Sequence, residues 1–235
     1  PRSTPLYSSA ASDVYKRQDL GIALDGDADR VVLADAYGNV VDGDGILYVL
    51  GVYGQKNPRL MDGIVGTAMT NFGLELACQE HGIAFERSNV GDRHVLEKMY
   101  AKSWTLGGET SGHIIQLDKG TTGDGLLTAI SVLEVMHSTG RTLAELVSGL
   151  QTYPQSMINV PINGSVPAAI LLDDETVINA VREVESALDC NGRVVLRPSG
   201  TEPLIRVMVE GVDAVQVEML VEQLTMAVVS SSAKY

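Results

Sequence analysis

The chain has 235 residues, 45% hydrophobic and 20% charged, which is the make-up of an ordinary folded protein and excludes a disordered tail, a collagen-like fibre or a coiled coil. Lys and Arg number 17 against 30 Asp and Glu, a formal net charge of −13, so the average surface repels a phosphate backbone and no nucleic-acid partner is expected. Cys78 and Cys190 are the only cysteines and form no CxxC pair, which fits a reducing compartment, the cytoplasm by default, and argues against a disulfide framework or thiolate metal site.

In chain order, Pro1 to Gln18 shows neither a strand or helix period nor the apolar core of a signal peptide, and the chain does not begin with Met; this stretch reads as a non-native or misjoined leader, with native sequence from about Asp19. Apolar runs then alternate with helical patterns, the signature of α/β construction. Leu20 to Leu24 predicts a buried strand running into an acidic loop, and Val31 to Ala34 a second strand, with a turn at Tyr37, Gly38 and Asn39. The richest apolar run, Ile46 to Tyr53, is about a third of the roughly 20 residues a membrane-spanning helix needs, so no membrane partner is expected. Short strands are predicted at Ile64 to Thr67 and Ile83 to Glu86, flanking a helix from about Asn71 to His81. A helix over Val95 to Ala101 precedes a strand at Trp104 to Leu106. Asp124 to His137 reads as a long amphipathic helix, and Thr142 with Glu145 forms a capping box for one ending near Leu150.

After Gln151 to Pro154 the pattern changes to strand (Ser156 to Ile162), Pro/Gly-containing loop, helix (Asp174 to Leu188), strand, strand and a closing helix from about Ala214 to Val229. This last block of about 80 residues has the size and pattern of a separate α+β domain. His81 and His137 fall near predicted helix ends and read as structural.

Three motifs can carry chemistry. Asp25-Gly26-Asp27-Ala28-Asp29-Arg30 follows directly on the first apolar run. Three carboxylates at alternate positions repel one another, and oxygen-only ligands point to a hard divalent cation, Mg²⁺ before Zn²⁺. An EF-hand fails because its sixth and twelfth positions would be Arg30 and Ala36. A haloacid-dehalogenase-type phosphatase lacks the later Gly-Asp-x-x-x-Asp, the required position being Tyr48, Leu96 or Thr128. The second motif is Gly107-Gly108-Glu109-Thr110-Ser111-Gly112-His113, whose acceptor, hydroxyl and imidazole suit sugar hydroxyls; on an extended segment Ser111 and His113 point the same way and make no hydrolase triad. The third is Arg197-Pro198-Ser199-Gly200-Thr201-Glu202-Pro203 with Arg206, set in a domain with five Lys or Arg against eleven Asp or Glu. Guanidinium forks and a Ser-Gly-Thr turn match phosphate oxygens; the alternative is a plain turn with Arg206 paired to Glu210. Gly91-Asp92-Arg93 and Thr121-Thr122-Gly123-Asp124-Gly125 each precede a helix, and either one is a helix start or part of a site.

Together and in this order the motifs resemble the α-D-phosphohexomutase superfamily over essentially all of Asp19 to Val229. The resemblance implies an α/β fold: the end of the family's domain 2 (19–42, metal loop), a complete α/β domain 3 (43–150, sugar loop) and a C-terminal α+β domain 4 (151–235, phosphate loop). It implies Mg²⁺ on Asp25, Asp27 and Asp29, with Arg30 adding positive charge. It further implies sugar contacts from Arg93, Glu109, Ser111 and His113, and a grip on the phosphate that is not transferred from Arg197, Ser199, Gly200, Thr201 and Arg206. His113 is the candidate for proton transfer to or from a sugar hydroxyl, since imidazole can serve in either direction near neutral pH. The Thr121 to Gly125 segment, Val90 to Arg93 and Tyr153-Pro154-Gln155 resemble the members acting on glucosamine phosphate. The implied reaction is glucosamine 6-phosphate to glucosamine 1-phosphate on the route to UDP-N-acetylglucosamine, through a phosphoserine and a glucosamine 1,6-bisphosphate (or glucose 1,6-bisphosphate) intermediate or activator. A phosphomannomutase or phosphoglucomutase, and a non-catalytic phosphosugar-binding module, remain as alternatives; a homodimer is left open. The family's catalytic serine lies in a Ser-His-Asn-Pro loop, and this chain has no Ser-His dipeptide, so the polypeptide alone is expected to lack turnover, and the strands around Gly21 to Val41 to expose edges that favour aggregation.

Overall fold

A computed structural model describes residues 18–54, 63–162, 167–199 and 202–234. The leader assigned to Pro1 to Gln18 lies outside these residues except for Gln18. The chain divides into two compact units, one ending at Gln151 and the other running from Thr152.

The first unit begins with β1 (Leu20–Leu24), β2 (Val31–Asp35) and β3 (Val40–Val41), an antiparallel sheet in that order. Leu24 pairs with Val31, so the acidic loop is the connection of a β1–β2 hairpin and its six residues are held at both ends by the ladder. Asp35 closes the next turn by accepting from the backbone N–H groups of Tyr37 and Asn39, and Gly38 supplies the positive φ of 86°.

Helix α1 (Gly43–Tyr53) follows, capped by the Asp42 carboxylate on the N–H groups of Asp44 and Gly45. It is the Ile46 to Tyr53 run, too short to span a bilayer and buried nearly all round, with Ile46, Leu47 and Val49 fully inside. A helix with no polar face carries no 3.6-residue hydrophobic period, which is why the sequence pattern does not reveal it.

A second sheet of four strands follows. Strand β4 (Gly63–Thr67) leads through α2 (Phe72–Glu80) to the parallel β5 (Ala84–Ser88), and α3 (Asp92–Lys102) leads to β6 (Leu106–Gly108), parallel to β4 on its other side. Strand β7 (Ile114–Gln116) turns back antiparallel on β6. The strand expected at Trp104 to Leu106 starts two residues later. Ser103 adopts a left-handed conformation as the C-cap of α3, and Trp104 leaves the helix to pack with Val65, Val95, Met99 and Ile115. Helices α4 (Gly125–Thr139) and α5 (Leu143–Val147) complete the unit, and Thr142 and Glu145 form the expected capping box. Helix α1 sits in the larger core, with Leu33, Ile64, Leu74, Leu106, Val132 and Leu146.

The second unit is a three-stranded antiparallel sheet, β8 (Gln155–Pro161), β10 (Leu204–Gly211) and β9 (Gly192–Pro198) in that order. Its helices are α6 (Ala168–Leu172), α7 (Glu175–Leu188) and α8 (Ala214–Ser232). Helix α6 lies where a loop was expected; Pro167 takes the N-cap position before a one-turn apolar segment. Val177, Val184, Val207, Leu224 and Val228 form the centre of this core, each at most 1% exposed, and each contributes about 1.5–3 kcal/mol on burial. Among the described residues no helix is long and apolar enough to cross a membrane.

Candidate functional site

The β1–β2 loop turns inside six residues because Ala28 adopts φ 58°, a left-handed conformation that costs a non-glycine residue about 1 kcal/mol. The outcome of that strain is convergence: one oxygen from each of Asp25, Asp27 and Asp29 lies within 4.8 Å of the other two. Ligands at about 2.1 Å from an octahedral Mg²⁺ are about 3–4 Å apart, so this all-oxygen set fits a hard divalent cation after a small contraction. Arg30 Nε stands 4.0 Å from Asp25 and 3.8 Å from Asp29, half exposed. Desolvation acts to raise the Asp25 carboxyl, but the hydrogen bond from the Arg30 amide, contacts with Asp29 and Asp27 and the Arg30 charge outweigh it and hold the group below the usual carboxylate range.

The Gly107 to His113 motif forms the β6–β7 connection, closed by Gly112 N–H donating to Glu109 O at 2.9 Å. It is a turn, with Gly112 at φ 91°, and not the extended segment expected. Ser111 is exposed and His113 buried. The turn is bound to the carboxylate loop: Val31 N–H donates to Gly112 O at 3.1 Å, and His113 Nδ1 lies 3.1 Å from Asp29 Oδ2. Its other edge meets α1, where Gly43 N–H donates to Thr110 O at 3.0 Å. Glu109 accepts from Gly91 N–H at 2.9 Å, which brings the Gly91-Asp92-Arg93 segment alongside. The Arg93 side chain itself is exposed and paired with Glu97 at 2.8 Å. Thr121 to Gly125 also belongs to this cluster, since Gly123 N–H donates to His113 Nε2 at 3.2 Å and Gly125 N–H to Ala28 O at 2.9 Å.

Sequence reasoning missed Asp44, which the residue pattern marks only as an Asp between two glycines at a helix start. Its two oxygens accept from Asn71 N–H at 2.8 Å and Thr110 Oγ1 at 3.0 Å, joining α1, the loop after β4 and the β6–β7 turn. Burial, then the nearby Asp42 charge, push its carboxyl up to about 7 against the opposing hydrogen bonds.

In the second unit Arg197 and Arg206 are directly opposite one another on β9 and β10. Both Nε atoms are buried and have no hydrogen-bond partner among the described residues. Desolvation, followed by the Arg206 charge, lowers the Arg197 pKa. Two like charges opposed across a ladder repel each other, and among the described residues no ion pair to a carboxylate offsets that repulsion. The alternative pairing of Arg206 with Glu210 does not occur, because Glu210 is fully buried and bound to Arg193 at 2.6 Å. Ser199 ends the same strand pair, its N–H donating to Leu204 O at 2.9 Å. Gly200 and Thr201 lie outside the described residues.

This combination defines a class, and comparison with known proteins names it. The family described as phosphoglucomutase/phosphomannomutase matches twice, through its alpha/beta/alpha domain III at residues 42–153 and its C-terminal domain at residues 157–227. The chain belongs to this family. Among its relatives are proteins named phosphoglucosamine mutase. One, from Thioalkalivibrio sulfidiphilus, is 50% identical over 93% of this chain and 48% of its own length, and one from Halorhodospira halophila is 53% identical over 89% and 46%. The chain thus spans about half the length of the curated relatives it matches. The crystal structure of Aspergillus fumigatus N-acetylphosphoglucosamine mutase in complex with GlcNAc-6P and magnesium shares the fold, with a TM-score of 0.72 at 19% identity over 95% of this chain and 53% of that one.

Proposed function

We propose that this chain supplies the metal, sugar and distal-phosphate sites of a phosphoglucosamine mutase, which interconverts glucosamine 6-phosphate and glucosamine 1-phosphate through a phosphoserine and a bisphosphorylated sugar. The observation that carries the reading is the convergence of Asp25, Asp27 and Asp29 on a loop hydrogen-bonded to the Glu109–His113 turn. The roughly 50% identity to relatives of that name supports the choice of sugar. Mg²⁺, when bound, neutralises charge on the phosphoryl group in transfer. Arg30 adds a second positive charge beside it. Glu109, with one oxygen held by Gly91, presents the other to a sugar hydroxyl, and Ser111 offers an exposed hydroxyl from the same turn. Arg197 and Arg206, opposed across β9 and β10, hold the phosphate that stays on the sugar. A bisphosphorylated hexosamine, or glucose 1,6-bisphosphate, is the expected activator. Two free cysteines, Cys78 and Cys190, suit the cytoplasm as its compartment.

Isothermal titration of the chain in Mg²⁺ with glucosamine 6-phosphate, glucose 6-phosphate and mannose 6-phosphate tests the reading. Glucosamine 6-phosphate is expected to bind tightest, and Asp27→Asn to abolish the Mg²⁺ dependence. Preference for mannose or glucose phosphate reassigns the chain to the phosphomannomutase or phosphoglucomutase branch. No binding of any of the three at millimolar concentration overturns it.

A further inference from the structure

We infer that His113 is locked as the neutral Nδ1–H tautomer by the backbone of Gly123, and that through this lock it positions Asp29 for the metal. The inference rests on reading Asp25, Asp27 and Asp29 as metal ligands. A backbone N–H can only donate, so the Gly123 N–H at 3.2 Å requires a bare lone pair on His113 Nε2. The single ring proton of a neutral imidazole is then on Nδ1, and Nδ1 is 3.1 Å from Asp29 Oδ2, which accepts it. The ring side chain is only 5% exposed, so this donor has no water to choose instead. Hydrogen-bonded carboxylate ligands are held in orientation and ionised, and loss of such outer partners lowers metal affinity.

The Thr121 to Gly125 segment is the locking device. A Cβ built on Gly123 would lie 2.5 Å from His113 Cε1 and 2.6 Å from each ring nitrogen, so the ring keeps its place only against a residue with no side chain. Two residues on, Gly125 N–H holds the metal loop directly at Ala28 O, 2.9 Å away. The segment therefore grips the carboxylate loop twice, once through backbone and once through the imidazole. Both ring nitrogens are occupied and the ring is buried, so no lone pair is left for a sugar hydroxyl. His113 is a positioning residue, and the proton transfer suggested by its residue type falls to another group.

Two readouts on the full chain test this. An imidazole ¹⁵N spectrum, recorded without metal, should show Nε2 unprotonated and Nδ1 protonated. Mn²⁺ titration followed by electron paramagnetic resonance compares the wild-type chain with His113→Asn, whose amide N–H replaces Nδ1–H, and His113→Gln, whose amide falls at the Nε2 position. Gly123→Ala completes the set. Asn should keep Mn²⁺ affinity within about threefold, while Gln and Gly123→Ala lose about tenfold or more. The Asn-to-Gln ordering does not depend on an alanine variant that may unfold. A protonated Nε2, or Gln binding Mn²⁺ as tightly as wild type, overturns the inference. A wild-type chain that takes up no Mn²⁺ overturns the metal reading and the positioning role with it, a result kept distinct because the tautomer is read without metal.

Discussion

Replacing Asp44 by Asn should remove a large part of the stability loss that the first unit suffers as pH rises. The Asp44 carboxyl is 3% exposed and titrates at about 7 in the folded state, against 3.8 for the ordinary group. Folding therefore takes up a proton between these values, and the stabilisation it brings is complete below about pH 4 and lost as pH rises through about 7. A difference of about three pKa units corresponds to about 4 kcal/mol as an upper bound, because water penetration and relaxation soften burial penalties. Asn keeps the geometry: its Oδ1 can accept from Asn71 N–H, and its Nδ2 can donate to Thr110 Oγ1, whose hydroxyl then rotates. The variant carries no charge to bury at this position, while Asp42, whose carboxyl burial raises, is left in place. Trp104, the only tryptophan, is buried in this unit, so urea unfolding followed by its fluorescence reads the unit alone. From pH 5 to pH 8 the wild-type chain should lose about 2–4 kcal/mol relative to D44N. A wild-type-minus-variant difference that stays constant across that range refutes the reasoning.

Three further outcomes follow from the same geometry. Gly43→Ala should destabilise the first unit by about 1–3 kcal/mol or more in the Trp104 assay, because the new Cβ would lie 1.9 Å from Glu109 O and 2.8 Å from Gly112 N, backbone that cannot step aside. Arg206→Leu should leave the second unit melting at or above the wild-type temperature, since it removes a repulsive cross-strand pair. The same variant should abolish the rise of about 2.7 kcal/mol that a phosphate ligand gives at a hundred times its Kd; calorimetry with inorganic phosphate or glucosamine 6-phosphate checks both halves. Thr142→Ala removes the hydroxyl that caps α5 through Glu145 N–H and should cost about 1 kcal/mol in urea unfolding.

The carboxylate loop and the Glu109–His113 turn are legible in the sequence because each is a run of consecutive residues, and the opposed arginines because they lie near the adjoining ends of two neighbouring strand patterns. Strands β1 and β2 are legible as short apolar runs bounded by a loop and a turn, and helices α2, α4, α7 and α8 because one-sided burial leaves a helical period. Helix α1 is not, since burial on every side erases that period. Asp44 and Thr110 stand 66 residues apart, and Asp29 and His113 stand 84 apart, so no local pattern joins them. The two-residue error at Trp104 has a local cause: an apolar residue looks like the start of a strand when it is filling a core after a left-handed helix cap.

The paired arginines also bear on how long the protein survives in a cell. A sheet that opposes two guanidinium groups with buried, unpartnered Nε atoms opens more often than one whose charges are matched, and each opening offers β9 and β10 to proteases. On the proposed reading, a phosphate held between the arginines would close that route. The abundance of the chain would then follow the supply of that ligand, rising when it accumulates and falling when it is exhausted, with no change in synthesis.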